Sequence, residues 1–126
     1  MMWQPAAILY PDVELMLTQR VRSALADPTV KVGRKVPDQV TRAVIVNRVG
    51  GTLSPPFDTA TVMVRCYAQT DAAATGLVSR VVQILGGLPD GQITRVQVTG
   101  GPTDLGLEGS PMRQVMADVT TRGTET

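Results

Sequence analysis

Hydrophobic residues recur at helical spacing in two segments of the chain. The first segment begins after Asp12, whose side chain can accept backbone N–H bonds as an N-cap, and it ends before Asp27-Pro28. The second begins at Thr70-Asp71 and ends at Gly86-Gly87, where glycine is typical of a helix C-terminus. We predict an amphipathic α-helix in each segment.

The segments between and after these helices have the residue patterns of β-strands. They comprise a short strand around Gly33, an inner strand over 41–49 that is apolar on both faces, an alternating strand over 61–69, and strands over 93–99 and 112–121. The order α-β-β-β-α-β-β predicts an α+β two-layer sandwich. We expect a mostly antiparallel sheet of about five strands, with hairpins between sequential strands and both helices on one face.

The length of 126 residues fits a single domain over 1–126, and we expect its termini, about 1–8 and 122–126, to be loose. The N-terminus has no leading Lys or Arg, and Gln4 and Pro5 interrupt its apolar residues, so it does not resemble a secretory signal. No apolar run approaches the roughly 20 residues that would span a bilayer. We therefore expect synthesis in the cytoplasm.

Two Gly- and Pro-rich stretches, residues 50–58 and 100–111, are predicted to be mobile loops that carry contacts with other proteins. Trp3, near the loose N-terminus, either anchors to a neighbouring subunit or packs on its own domain. The candidate residues for a ring or partner interface are Trp3, Leu53, Phe57, Asp58, Leu105 and Leu107.

Composition argues against several classes of function. The net charge of +1 and the aromatic content of 3% are not typical of a nucleic-acid binder. The chain has no histidine and a single cysteine, Cys66, on the apolar side of a predicted strand, so we expect a buried core residue there. Gly86-Gly87 and Gly100-Gly101 end elements instead of opening a helix, unlike phosphate-binding loops. We expect no enzyme activity, catalytic residue, cofactor or metal.

Three arginines offer a second candidate surface. Arg42 and Arg48 share parity on one predicted strand, and Arg65 lies on the polar side of a strand expected to neighbour it. They form either a basic patch, at an interface or lining a channel, or an ordinary solvated face of the sheet. The sequence does not distinguish these alternatives.

Several phrases of the sequence resemble one family. They are Tyr10-Pro11-Asp12 before the first helix, the run over 32–38, Arg48-Val49-Gly50-Gly51, and Asp58 before the run over 62–68. In this order they resemble the tail terminator proteins of siphophages that infect actinobacteria. The resemblance covers most of the chain and includes no catalytic signature.

The resemblance implies a structural virion protein at the head-proximal end of the tail. Such a protein forms a homohexameric ring on the tail tube, stops tube polymerisation and provides the surface for joining to the head connector. The implied partners are further copies of the chain, the major tail tube protein and head-tail connector proteins, with DNA only passing through the lumen. One alternative is a head-tail connector or neck (tail completion) protein, and another is a small enzyme or ligand-binding domain.

Overall fold

A computed structural model describes residues 8–37, 42–104 and 111–125, and the chain is an α+β protein. The described residues form two helices, α1 (Val13–Leu25) and α2 (Asp71–Gly86). Its strands are β1 (Ile8–Leu9), β2 (Lys31–Gly33), β3 (Ala43–Ser54), β4 (Phe57–Tyr67), β5 (Ile93–Asp104), β6 (Met112–Arg122) and β7 (Thr124–Glu125). The predicted order α-β-β-β-α-β-β is confirmed for the main sheet and the helices, and the short strands β1 and β7 are added at the ends.

Both helices begin where the sequence predicted, because a side chain accepts a backbone N–H group at each start. Asp12 accepts a hydrogen bond from the N–H of Leu15, and Thr70 accepts one from the N–H of Ala73, each at 3.1 Å. The first helix ends at Ala26, whose φ of 49° lies in the left-handed region. No helix in the described part of the chain is long and apolar enough to cross a membrane.

The main sheet has five strands in the order β2-β3-β4-β6-β5. The predicted antiparallel hairpins are confirmed for β3–β4 and β5–β6. The same prediction is wrong for β2 and β3, which pair in parallel, with Lys31 opposite Ala43 and Gly33 opposite Ile45. The long connection between these two strands permits this, because a parallel pair needs a crossover.

The hydrophobic core lies between the two helices and one face of the sheet. The alternation along β4 and β6 is confirmed, since Val62, Val64 and Cys66 of β4 are fully buried. The core of the helices comprises mainly Leu17, Val21, Leu77, Val81 and Leu85. Each such side chain contributes roughly 1.5–3 kcal/mol by leaving water, which makes this layer the main source of stability.

The strand β3 is buried on both of its faces at its start, as predicted for an inner strand. Val44 and Val46 belong to the core beneath the helices. Ala43 and Ile45 alternate with them on the opposite face and are 0% and 1% exposed. Sequence alternation therefore does not reveal which side of β3 faces the helices.

The chain ends differ from the prediction of loose termini. Ile8 pairs with Glu125 and Leu9 pairs with Thr124, forming a two-stranded ribbon. The N–H of Gly123 also donates to the carbonyl of Pro56 at 2.8 Å, which ties this ribbon to the main sheet. Residues 1–7 and 126 lie outside the described residues.

The predicted loop over 50–58 is also wrong, because β3 and β4 continue as a paired hairpin up to Ser54 opposite Phe57. Only Pro55 and Pro56 form the turn between them. The predicted loop over 100–111 is wrong in its first part, where β5 continues to Asp104. The rest of that stretch, residues 105–110, lies outside the described residues.

Candidate interaction surface

The end of the β3–β4 hairpin, residues 49–58, lies at one end of the sheet, and we call it the arm. The buried positions of β3 end at Val46, and every residue from 48 to 55 is exposed. On the arm, Val49 is 52% exposed and Leu53 is 58% exposed. The arm therefore presents apolar side chains to the surroundings while its backbone remains paired.

A bulge at the base of the arm sets its direction. The register between β3 and β4 shifts between Arg48 and Gly50, leaving one extra residue on β3. Gly51 follows with a φ of +138°, a conformation that L side chains rarely adopt. A Cβ at Gly51 would overlap the carbonyl oxygen of Thr59 and meet the Arg48 guanidinium. Gly51 thus allows a bulged strand where the sequence predicted a loop.

An ion pair closes the arm on its helix side. The Arg48 guanidinium donates from Nη1 and Nη2 to both carboxylate oxygens of Asp58, each at 2.7 Å. This hydrogen bond raises the pKa of Arg48; partial burial opposes the shift, and the charges of Asp58 and Glu14 reinforce it. Asp58 itself is only 4% exposed. Asp58, predicted as a contact residue, is therefore a bracing residue within the chain.

Helix α1 joins the same brace. Glu14 accepts a hydrogen bond from the backbone N–H of Arg48 at 2.7 Å. The Nε of Arg48 donates to the carbonyl of Gly50 at 3.0 Å, across the bulge. The first turn of α1, the bulge and the first residues of β4 are thus held together by one arginine.

The apolar residues predicted for the arm lie in different environments. Leu53 is exposed on the same side as Asp58, its cross-strand partner. Phe57 is half-buried, and the Arg122 guanidinium lies 5.8 Å from the centre of its ring. Leu53 is therefore available to a partner, whereas Phe57 packs within the chain. The predicted residues Trp3, Leu105 and Leu107 lie outside the described residues.

The predicted basic patch is not formed. Arg48 lies on the helix side of β3 and Arg42 precedes that strand, whereas Arg65 lies on the opposite side of the sheet, across from Ile45. Each guanidinium also has its own partners: that of Arg65 donates to the Tyr67 hydroxyl and the Asn47 side-chain oxygen at 3.2 and 3.0 Å. The prediction failed because the neighbouring strand β3 is apolar on both faces at its start. The pattern of polar residues in β3 therefore could not show which of its arginines lie on the same face of the sheet as Arg65.

Arg42 braces the end of α1 instead. Its guanidinium donates to Asp27 at 3.1 Å and to the Thr29 hydroxyl at 3.0 Å. Hydrogen bonds from the Thr29 hydroxyl and backbone N–H lower the pKa of Asp27, and the charge of Arg42 lowers it further. These contacts fix the turn that leads from α1 to β2.

The second predicted contact stretch lies at the other end of the sheet. At the end of the sheet that carries the arm, Ser54 pairs with Phe57, and Phe57 pairs with Arg122. At the opposite end of the sheet, Asp104 pairs with Arg113. Arg113 is bonded there to Asp104 at 3.1 Å and to Asp71 at 3.5 Å. The β3–β4 and β5–β6 hairpins therefore point to opposite ends of the molecule.

Leu9 and Val49 are exposed apolar residues that were not predicted as contact residues. Leu9 in β1 is 62% exposed, and Val49 at the bulge is 52% exposed. Both residues lie at the arm end of the sheet. Val49 belongs to the arm itself, and Leu9 lies in β1, whose partner β7 follows Gly123, which is hydrogen-bonded to Pro56 in the turn of the arm. No sequence pattern signals their exposure, because it depends on where the helical layer stops.

The described residues contain no cluster of three or more His, Cys, Asp or Glu residues that could hold a metal ion. Burial raises the pKa of the Cys66 thiol to about 12, so this thiol is not a ready nucleophile. A shallow, mostly apolar groove runs beside α1 and is lined by Gln19, Arg20, Ser23, Ala24 and Leu88. No protein-family model matches the sequence, and no curated protein matches it.

Proposed function

We propose that this chain is a siphophage tail terminator, a structural virion protein that forms a ring on the end of the tail tube. The single observation that supports this most is the arm, which carries exposed Val49 and Leu53 on a braced hairpin. Exposed apolar side chains on a rigid element are suited to protein contacts. The resemblance of the sequence to tail terminators supports the same class.

The opposite placement of the two hairpins suits a layered assembly. A terminator contacts the last layer of tube protein on one side and the head connector on the other. The arm and the β5–β6 hairpin give this chain one distinct surface at each end of its sheet. In the proposal, one end fits the tube, and the other offers no site for a further layer, so tube growth stops through surface complementarity.

The three arginines have no lumen role in this proposal. The partners of Arg42 and Arg48 include carboxylates of the same chain, and Arg65 lies on the other side of the sheet. DNA passes through the ring without being read. The protein acts by shape, without making or breaking covalent bonds.

Electron microscopy of tails assembled with and without this protein tests the proposal. We expect tails of uncontrolled length when the protein is omitted, and tails of normal length when it is restored. The purified protein should also appear as a ring at one end of the tube, the head-proximal end. Tails of normal length that fail to join heads would instead identify a neck protein and overturn the terminator assignment.

A further inference from the structure

The outer edge of β3 is open along the arm. Among the described residues, the one strand on that side of β3 is β2, which covers only Ala43–Ile45. The N–H of Arg48 is bonded to Glu14, and beyond it residues 49–54 have no described strand on their outer side. An open edge presents backbone donors and acceptors that can pair with another strand.

The other outer strand, β5, offers a short regular edge. Among the described strands it pairs only with β6, and its register shifts between Ile93 and Arg95 and again between Val98 and Gly100. Bulges of this kind interrupt a strand edge. The uninterrupted part of β5 is therefore residues 95–98, of which Arg95, Gln97 and Val98 are exposed.

These two edges match in direction and in position along the sheet. Because β3, β4, β6 and β5 are each antiparallel to the next, β5 runs antiparallel to β3. Thr52 pairs with Thr59 of β4, which pairs with Thr120 of β6. Thr120 in turn pairs with Arg95 of β5, so Thr52 and Arg95 lie at the same height along the strands. A second copy set beside the first at the same height along the strands therefore brings residues 95–98 level with residues 48–52.

The interruptions in β5 also fall where pairing would fail. Successive strand pairings through Gln114 and Arg65 place Thr103 of β5 at the same height as Ile45 of β3. The outer side of Ile45 is already paired with β2. A neighbouring β5 cannot stay paired at that level, and its register is broken between Val98 and Thr103. The regular part of β5 thus ends where the free part of β3 ends.

The side chains along the two edges agree with this match. Val49 and Leu53 on one edge and Val98 on the other are exposed by 52%, 58% and 37%. Strand pairings through Ala117 and Val62 place Val98 at the same height as Arg48. Arg48 is the neighbour of Val49 in the chain.

We propose that residues 49–52 of one copy pair antiparallel with residues 95–98 of the next copy, so that neighbouring sheets join edge to edge around the ring. The inference rests on the ring of the proposed function and names its subunit contact. The two surfaces differ, so the contact is head-to-tail and can close into a ring. Its short length makes each contact weak, so that the ring forms at high concentration or on the tube.

Engineered cysteines test this contact. Residues bridged by a disulfide have Cα atoms within about 7 Å of each other, a spacing met across paired strands. We expect an oxidised mixture of the single variants Thr52→Cys and Arg95→Cys, at high concentration, to form a mixed disulfide dimer. The double variant should give a ladder of covalent oligomers ending in a closed ring. Native Cys66 is 0% exposed and does not interfere.

The control mixture combines Thr52→Cys with Ser79→Cys, which is exposed on α2 away from both edges, and should give no mixed dimer. A predominant 52–52 disulfide would contradict the head-to-tail contact. A mixed dimer that appears only after removal of residues 1–7 would mean that this segment occupies the edge, and would also overturn the proposal.

The same variants separate this inference from the proposed function. Rings seen on tails without any 52–95 disulfide would overturn the edge contact and leave the terminator function standing. Covalent rings of the double variant, together with normal tail length in the absence of the protein, would support the edge contact and overturn the terminator function.

Discussion

Arg48 and Asp58 form a bidentate ion pair across the base of the arm, with both N–O distances at 2.7 Å. Paired, charge-assisted hydrogen bonds of this kind fix orientation as well as adding energy. The pair links β3 to β4 at the bulge, and Glu14 links the same arginine to α1. Arg48 therefore braces the bulge that sets the direction of the arm.

Replacing Arg48 by methionine should destabilise the protein, because it leaves the Asp58 carboxylate without its partner at a site only 4% exposed. Loss of one member of a buried pair costs roughly 3–5 kcal/mol, and we expect about 2–3 kcal/mol here because Arg48 is partly exposed. The free energy of unfolding in urea measures this effect. Arg95→Met, which removes an exposed arginine, is the control and should change stability by less than about 0.5 kcal/mol.

A double-mutant cycle separates the ion pair from the other contacts of Arg48. If Arg48→Met and Asp58→Asn act through the same pair, the double variant should lose less stability than the sum of the two single losses. Strictly additive losses would mean that Arg48 acts mainly through Gly50 and α1 instead of through Asp58.

Gly51→Ala should destabilise the base of the arm by about 2 kcal/mol or more, because a side chain is strained at positive φ and would overlap the Thr59 carbonyl. Gly50→Ala is the matched control, since a Cβ there meets no heavy atom within 4 Å. Thermal unfolding of the two variants makes the comparison. Equal losses from both substitutions would show that the bulge does not require glycine at position 51.

Much of the fold was predictable because one face of most elements is buried under a single layer. The alternation along β4 and the helical spacing in α2 both follow from that layer. The arm was missed because its β3 residues lie on an outer, exposed part of the sheet. With β3 exposed from Arg48 onward, the segment has no buried face to impose alternation, and its glycines and prolines resemble those of a loop.

The candidate surface was only partly predictable. Leu53 was identified because an apolar residue in a polar stretch is noticeable, and it is 58% exposed. Asp58 was assigned to the surface, whereas its partner Arg48 lies across the hairpin and draws it inward. Such pairings depend on strand register, which the sequence of either strand alone does not determine.

Stability should fall at alkaline pH because of Cys66. Burial raises the pKa of its thiol to about 12 from an ordinary value of 9.0. Below pH 9.0 the thiol keeps its proton in both the folded and the unfolded chain. Above pH 9.0 only the unfolded chain releases this proton, so the free energy of unfolding falls by up to about 1.4 kcal/mol per pH unit. The fall ends where the thiol of the folded chain also ionises. Urea unfolding at about pH 8 and about pH 10 measures the loss.

Cys66→Ala is the control for this pH dependence. The variant has no thiol, so its stability should fall by about 1.4 kcal/mol less than that of the native protein over the same pH range. All other ionisable groups are common to both proteins and cancel in the comparison. Identical pH dependence would show that the thiol ionises equally in the folded and unfolded chains.

Leu53→Lys should weaken assembly without weakening the fold. The side chain is 58% exposed, so a charge there leaves the core untouched, and we expect the free energy of unfolding to change by less than about 0.5 kcal/mol. At an apolar contact the same charge must be desolvated without a partner, which we expect to reduce binding to purified tail tubes at least about tenfold. Ser79→Lys adds the same charge on the exposed side of α2 and should bind normally. Because the two variants differ only in location, equal binding by both would exclude the arm from the contact surface.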